Sequence, residues 1–190
     1  LIGLLLLITH ILACISVGIV FRFWKYSSNS KKHENSAYSS SNKTVTFASL
    51  GEVLSKSIIS SINTILIIGG FIMLFSVILS ILQKSNFINL LGSIFFPFFK
   101  LVGIDNINFC YGFFSGILEL TNGVTQIAAI PCKAISTNII IASFLLGFGG
   151  ISILLQVFSI TSKSDISIKP YILGKLLHGI FAAMYTYIFI

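Results

Sequence analysis

The sequence predicts an all-α integral membrane protein, a polytopic helix bundle with broken helices and a re-entrant hairpin. Three observations carry that expectation. Apolar residues make up 55% of the chain and charged residues 9%, with a mean hydropathy of +1.00, outside the balance of a soluble domain. The apolar residues fall in blocks at 1–24, 58–82, 109–131, 137–160 and 171–190, each long enough for a spanning helix of roughly 20 residues. Two of those blocks are interrupted, by GILELTNG at 116–123 and by SFLLGFGGISILLQ at 143–156.

The first block reads as a membrane span rather than a signal peptide, because it has no charged n-region and no A-x-A-like cleavage site. It ends in FRFWKY, where Trp24 and Tyr26 suit the headgroup layer and Arg22 and Lys25 mark the cytoplasmic side. Residues 1–26 are therefore assigned to a transmembrane helix. The chain opens at Leu1 inside an apolar run without an initiator methionine, which reads as the later part of a longer polypeptide. Residues 27–47 are rich in Ser, Asn and Lys and cannot bury enough apolar area to fold alone. They read as a basic, disordered cytoplasmic linker.

Residues 48–190 form the main membrane domain. In ASLGEVLSKSIISS, Glu52 and Lys56 stand four apart, which starts a helix ahead of the second block and supports an ion pair near the interface. Ser57, Ser60, Ser61, Asn63 and Thr64, with Gly69 and Gly70, suit a helix-packing seam, and Asn63 is the residue among them with a candidate ion or coupling role. Residues 87–104, interrupted by Pro97 and Lys100, fit a short span, a re-entrant piece or an interfacial helix.

GILELTNG places Glu119 between leucines, and a carboxylate at membrane depth costs about 2.5 to 3.5 kcal/mol or more. It must be protonated, meet a cation or line a hydrated cavity, unless it ends a helix in contact with water. Thr121, Asn122 and Gly123 supply a hydroxyl, an amide and a permissive backbone, where a helix can stop and turn polar groups toward a ligand. In SFLLGFGGISILLQ, Gly147, Gly149 and Gly150 make a poor helix interior between apolar flanks. This reads as a re-entrant hairpin whose tip offers N–H groups to an anion, with Ser152 and Gln156 beside it, or as a single span with a glycine packing face. Two broken apolar segments with polar apexes point to a transporter or membrane receptor.

Other classes fit poorly. The net charge of +7 is spread over loops and helix ends with no aromatic-interleaved basic face, so lipid headgroups account for it better than nucleic acid does. Cys14, Cys110 and Cys132 show no paired spacing, and His10, His33 and His178 no ligand spacing, so neither a disulfide framework nor a metal site is expected. No nucleophile with a base and no paired carboxylates indicate an enzyme, and no cofactor is expected.

The series IGGFIMLFSVI, GILELTNGV, SFLLGFGGISILLQ and KPYILGKLLHGIFAA resembles the Gate, or nucleoside-recognition, membrane domain. More closely it resembles the YlbJ-type sporulation integral membrane proteins, also called stage V sporulation proteins, of spore-forming Firmicutes. The resemblance runs from about residue 50 to the end and implies transport of dipicolinic acid across the membrane around the forespore. The Gate domain is in turn similar to one repeat of a concentrative nucleoside transporter, which implies a half-site completed by another repeat or subunit. By that resemblance Thr121, Asn122, Gly149, Gly150, Ser152 and Gln156 are candidate substrate contacts. Glu119 is a candidate coupling residue and Lys175 a partner for it or for the anion. Gly149 or Gly150 replaces the polar tip asparagine of the transporter pattern, so nucleoside contacts do not carry over. A non-transporting membrane scaffold and a nucleoside transporter are the alternatives. The implied location is a bacterial cytoplasmic membrane or the mother-cell-derived outer membrane of the forespore.

Overall fold

A chain this apolar can satisfy its backbone amides inside lipid only through helices or a closed barrel. The computed structural model describes residues 2–22, 47–131, 135–162 and 167–190, and all regular structure among them is helical. The expected linker, most of residues 27–47, lies outside the described residues, as do Trp24, Lys25, Tyr26, His33, Cys132, Lys133 and Lys163. The helices are α1 (Ile2–Arg22), α2 (Phe47–Lys84), α3 (Phe87–Leu101), α4 (Asn108–Leu118), α5 (Leu120–Ala128), α6 (Ile135–Phe148), α7 (Gly150–Thr161) and α8 (Lys169–Phe189). Four described stretches are long and apolar enough to cross a membrane: Ile2–Arg22, Leu50–Lys84, Ser136–Thr161 and Lys169–Phe189.

The second block is part of a longer rod. At 38 residues, α2 is about 57 Å long against a hydrocarbon layer of about 30 Å, so it overhangs the membrane. Lys56 and Glu52 form the anticipated pair at 2.5 Å, well exposed. The expected packing seam is not where the sequence placed it. Residues 50–63 are exposed throughout, and Gly69 and Gly70 have open space where a Cβ would stand. The hydroxyls there turn back on their own helix, Ser61 to the Ser57 carbonyl at 2.8 Å and Thr64 to the Ser60 carbonyl at 2.9 Å. The seam lies further along, where Phe75, Ser76, Leu79 and Gln83 share one face at helical spacing. The ambiguous 87–104 segment is a helix of 15 residues, about 22 Å long, that continues through Pro97.

The two interrupted blocks exchange roles. The fold-back expected at 143–156 occurs instead at 108–128. Gly123 abuts Gly116, and Gly112 abuts Ile127, pairs placed symmetrically about the link from Glu119 to Leu120, so α4 and α5 lie antiparallel as a tight helical hairpin. A Cβ on Gly123 would overlap the Gly116 backbone and stand 2.9 Å from the Gly112 carbonyl oxygen. The SFLLGFGGIS segment does not fold back. α6 packs mainly on α8 and α5 and also on α1, α7 packs on α2, and α4 lies against both halves of this broken helix. Gly149 and Gly150 both take left-handed conformations, φ +87° and +78°, which explains why two glycines stand at the break.

The core forms where hairpin and broken helix meet, around Phe109, Ile127, Ile141 and Leu145, with Phe113, Ile117 and Phe144 packed against them. Polar contacts hold the outer helices. Thr186 Oγ1 lies 2.7 Å from Ser143 Oγ and 3.3 Å from Thr9 Oγ1, joining α8, α6 and α1. Where α6 crosses α8, a Cβ on Gly147 would lie 2.7 Å from Gly179 Cα, so the anticipated glycine packing face exists.

Replacing Gly123 with Val forces the hairpin apart, and thermal unfolding of the complete protein in detergent is expected to show a loss of about 1 to 3 kcal/mol or more. Gly69→Ala, facing open space, is expected to leave the unfolding temperature within a degree or two, since such surface changes fall within about 0.5 kcal/mol. Equal effects from the two substitutions would contradict the hairpin.

Candidate functional site

Glu119 is itself the hairpin tip. Its backbone is extended (φ −140°, ψ 116°), and it both ends α4 and caps α5. One carboxylate oxygen accepts from the Thr121 N–H at 3.0 Å and the other from the Asn122 N–H at 2.7 Å. The residue is 2% exposed. Its carboxyl group therefore faces the positive end of a helix and accepts two hydrogen bonds, which offset the cost of burial. The break falls at the acidic residue, and Thr121-Asn122-Gly123, expected to be unwound, forms the first turn of α5. At the other end of α5, Asn138 of α6 donates to the carbonyls of Ile127 (2.7 Å) and Ile130 (2.9 Å), so both ends of this short helix are satisfied by side chains.

The second break sits against this tip. A Cβ on Gly150 would lie 2.9 Å from the Gly116 carbonyl oxygen and 3.3 Å from that of Ile117, so the start of α7 abuts the end of α4. From the α8 side, Lys175 reaches the same turn, with Cε 3.3 Å and Nζ 3.5 Å from the position of a Cβ on Gly149. Ser152 and Gln156 are buried one turn apart on α7, with the Gln156 amide donating to Ser152 Oγ at 3.2 Å. Gly149 and Gly150 thus meet the end of α4, next to Glu119, and the Lys175 side chain at one junction of hairpin, broken helix and α8; Ser152 and Gln156 pair with each other further along α7, and Asn122 bonds toward α2. Thr121 stands at its edge, exposed.

Two sequence expectations change here. Asn63 is exposed and lies 13 residues before Ser76, about 20 Å along α2 from the site, so it does not join it. Glu119 and Lys175 form no ion pair; among the described residues the ion pair is Lys56 with Glu52. Sequence reasoning missed three contributors. Ser76 accepts from the Asn122 amide at 3.1 Å, and Gln83 donates to Ser115 Oγ at 3.5 Å, fastening α2 to both arms of the hairpin. The signal was the i, i+4 spacing of polar and apolar residues at 75–83.

Histidine and cysteine also need correction. His10 and Cys14, four apart on α1, meet His178 of α8, and one ligand atom from each lies within 4.8 Å of the others. A cavity of about 380 Å³ beside them is lined by Cys14, Phe21, Tyr171, Gly174, Lys175 and His178.

Long apolar helices interrupted at a shared polar junction define a multi-pass integral membrane protein. The chain is similar to the sporulation integral membrane protein YlbJ of Bacillus subtilis (strain 168), with 30% identity over a 205-residue alignment that covers 97% of this chain and 47% of the relative. The chain therefore spans about half the length of that relative. No protein-family model matches the chain. No solved structure matches it either.

If Glu119 caps α5, stability of the complete protein in detergent is expected to fall in the order wild type and Glu119→Asp, then Glu119→Gln, then Glu119→Ala, with the alanine variant losing about 0.5 to 2 kcal/mol. Thermal unfolding followed by circular dichroism reads that order directly. An alanine variant as stable as wild type contradicts the cap.

Proposed function

We propose that this chain is the C-terminal part of a YlbJ-type sporulation membrane protein with a Gate-like repeat. Its proposed activity is to carry a small anionic aromatic solute, dipicolinic acid, across the outer membrane of the developing forespore. The observation that carries the reading is the contact between the Glu119 tip and the Gly149–Gly150 break, since two interrupted helices meeting inside an apolar bundle are what a solute site in lipid requires. Similarity to a sporulation integral membrane protein supports the biological setting.

The chemistry suits a planar dianion. The first N–H groups of α7 and the Lys175 ammonium approach the break from two sides, and Ser152 and Gln156 add a hydroxyl and an amide. Asn122 offers its amide beside Ser76 at the hairpin, and Thr121 its hydroxyl at the rim. Both Glu119 side-chain oxygens are already engaged with its own helix, so it serves as the proton- or cation-responsive element rather than as a ligand for an anion. Loss of either of its bonds to α5 would loosen the tip. The start of α2, with Ser57, Ser60, Ser61 and Thr64, is the surface on which a second copy or an N-terminal repeat completes the site.

Vesicles holding the complete protein are expected to accumulate labelled dipicolinate when a proton or sodium gradient is imposed. Lys175→Gln is expected to weaken apparent affinity by about tenfold or more, the loss of a charged hydrogen-bonding partner. Gradient-independent background flux in wild type sinks transport and favours the scaffold reading, while competition by uridine but not dipicolinate in thermal-shift measurements favours a nucleoside. Glu119→Gln is expected to abolish the dependence of spore dipicolinate content on external pH; unchanged accumulation and pH response would remove the coupling role.

A further inference from the structure

The polar cluster between α1 and α8 is a separate matter. His10 and Cys14 project from one face of α1 because their spacing is i, i+4, and His178 is buried opposite them on α8. Cys14 Sγ lies 3.6 Å from His178 Nε2, and the rings of His10 and His178 have centroids 4.3 Å apart. With bonds of about 2.0 to 2.3 Å, ligand atoms in a plane around one metal ion stand about 3.5 to 3.7 Å apart. The cysteine–histidine distance already has that value, and closing the remaining separations from at most 4.8 Å takes side-chain rotations on the scale of about 1 Å.

We propose that His10, Cys14 and His178 bind one soft monovalent metal ion of the copper(I) class, clamping α1 to α8. The donor set of two imidazoles and one thiolate suits soft and borderline ions and excludes calcium and magnesium, which take oxygen. Charge selects between copper(I) and zinc. Metal capture displaces the thiol proton of Cys14, so a monovalent ion with one thiolate leaves a neutral site. A zinc ion would leave a net positive charge inside the bundle, along a cavity that the Lys175 ammonium already lines. Among the described residues three ligand atoms converge, the number a trigonal monovalent ion takes, whereas zinc held by three side chains needs a water as its fourth ligand. His178 Nε2 stands 3.2 Å from the His10 carbonyl oxygen. To ligate through that nitrogen the ring must carry its proton on Nδ1 and give up any bond to the carbonyl. The cavity runs from Cys14 and His178 to Phe21 and Pro170 at the ends of α1 and α8, which gives an ion a path from the membrane surface.

The test uses the complete protein in nanodiscs, with Cys110→Ser and Cys132→Ser so that Cys14 is this chain's sole thiol. Copper(I) buffered by bicinchoninate, and silver(I) as a redox-inert substitute, are titrated against it. One equivalent is expected to bind per chain, and Cys14→Ser is expected to lower the affinity by about 100-fold or more, the upper end of what even indirect changes at metal sites cost. Silver is also expected to raise the unfolding temperature of the protein carrying Cys14 and not of Cys14→Ser, because a ligand stabilises the state it binds. Binding that survives Cys14→Ser, zinc bound in preference to copper(I), or no stoichiometric binding overturns the proposal. Histidine variants that fail to fold leave the decision with Cys14→Ser, an exposed and nearly isosteric change.

Discussion

A helix interrupted inside a bilayer leaves amides and carbonyls with no water to bond, and the arrangement of this protein follows from how those groups are satisfied. Glu119 takes the first free N–H groups of α5 onto its two carboxylate oxygens, and Asn138 takes the carbonyls at the far end. A nine-residue helix is too short to be stable by itself, so α5 depends on these caps and on its packing against α4. The packing is possible because Gly112, Gly116 and Gly123 let the two arms meet backbone to backbone. With the hairpin closed, its tip provides the surface against which Gly150 can turn, and the second broken helix follows.

Much of this was legible in the sequence and some was not, for physical reasons. The apolar blocks and their two interruptions were visible because hydrophobic length and glycine placement are local properties. Which interruption folds back was not, since that depends on whether the flanking faces fit each other. Glycine at 112, 116 and 123 gives α4 and α5 a shared flat surface, while α6 presents its glycine at 147 to α8 instead. Glu119 stood out by its cost, yet the partner that offsets that cost is the backbone two and three residues on, which hydropathy does not display. Asn63 looked like its neighbours in composition, and its exposure is set by which face of α2 meets the hairpin. His10, Cys14 and His178 are far apart in sequence and converge through the contact of α1 with α8.

The bundle also divides its adhesive interactions by chemistry. Between α1, α6 and α8 the links are hydroxyls and small residues, as at Thr9, Ser143 and Thr186, and at Ser16, whose Oγ lies 2.6 Å from the Tyr185 hydroxyl. Between α2 and the hairpin they are single amide bonds from Asn122 and Gln83. The first group is a buried Thr9–Ser143–Thr186 cluster with a part-buried Ser16–Tyr185 contact between α1 and α8; the second is two bonds that supplement the packing of α2 on α7 and α3. Hairpin and α6 are therefore held as a unit with α8, and α2 is the element attached most sparsely to them.

That attachment gives α2 a mechanical character. Its fastenings, Ser76 and Gln83, lie near one end, and the span from Phe47 to Ser76 projects about 43 Å beyond them. Held by α3, α7 and these two bonds and exposed from 50 to 63, a stiff rod of this length is a lever with unequal arms. A tilt of about 1° would displace the far end by about 0.75 Å while the hairpin end barely moved, so any excursion of the overhang would reach Asn122 and Ser115 reduced in amplitude.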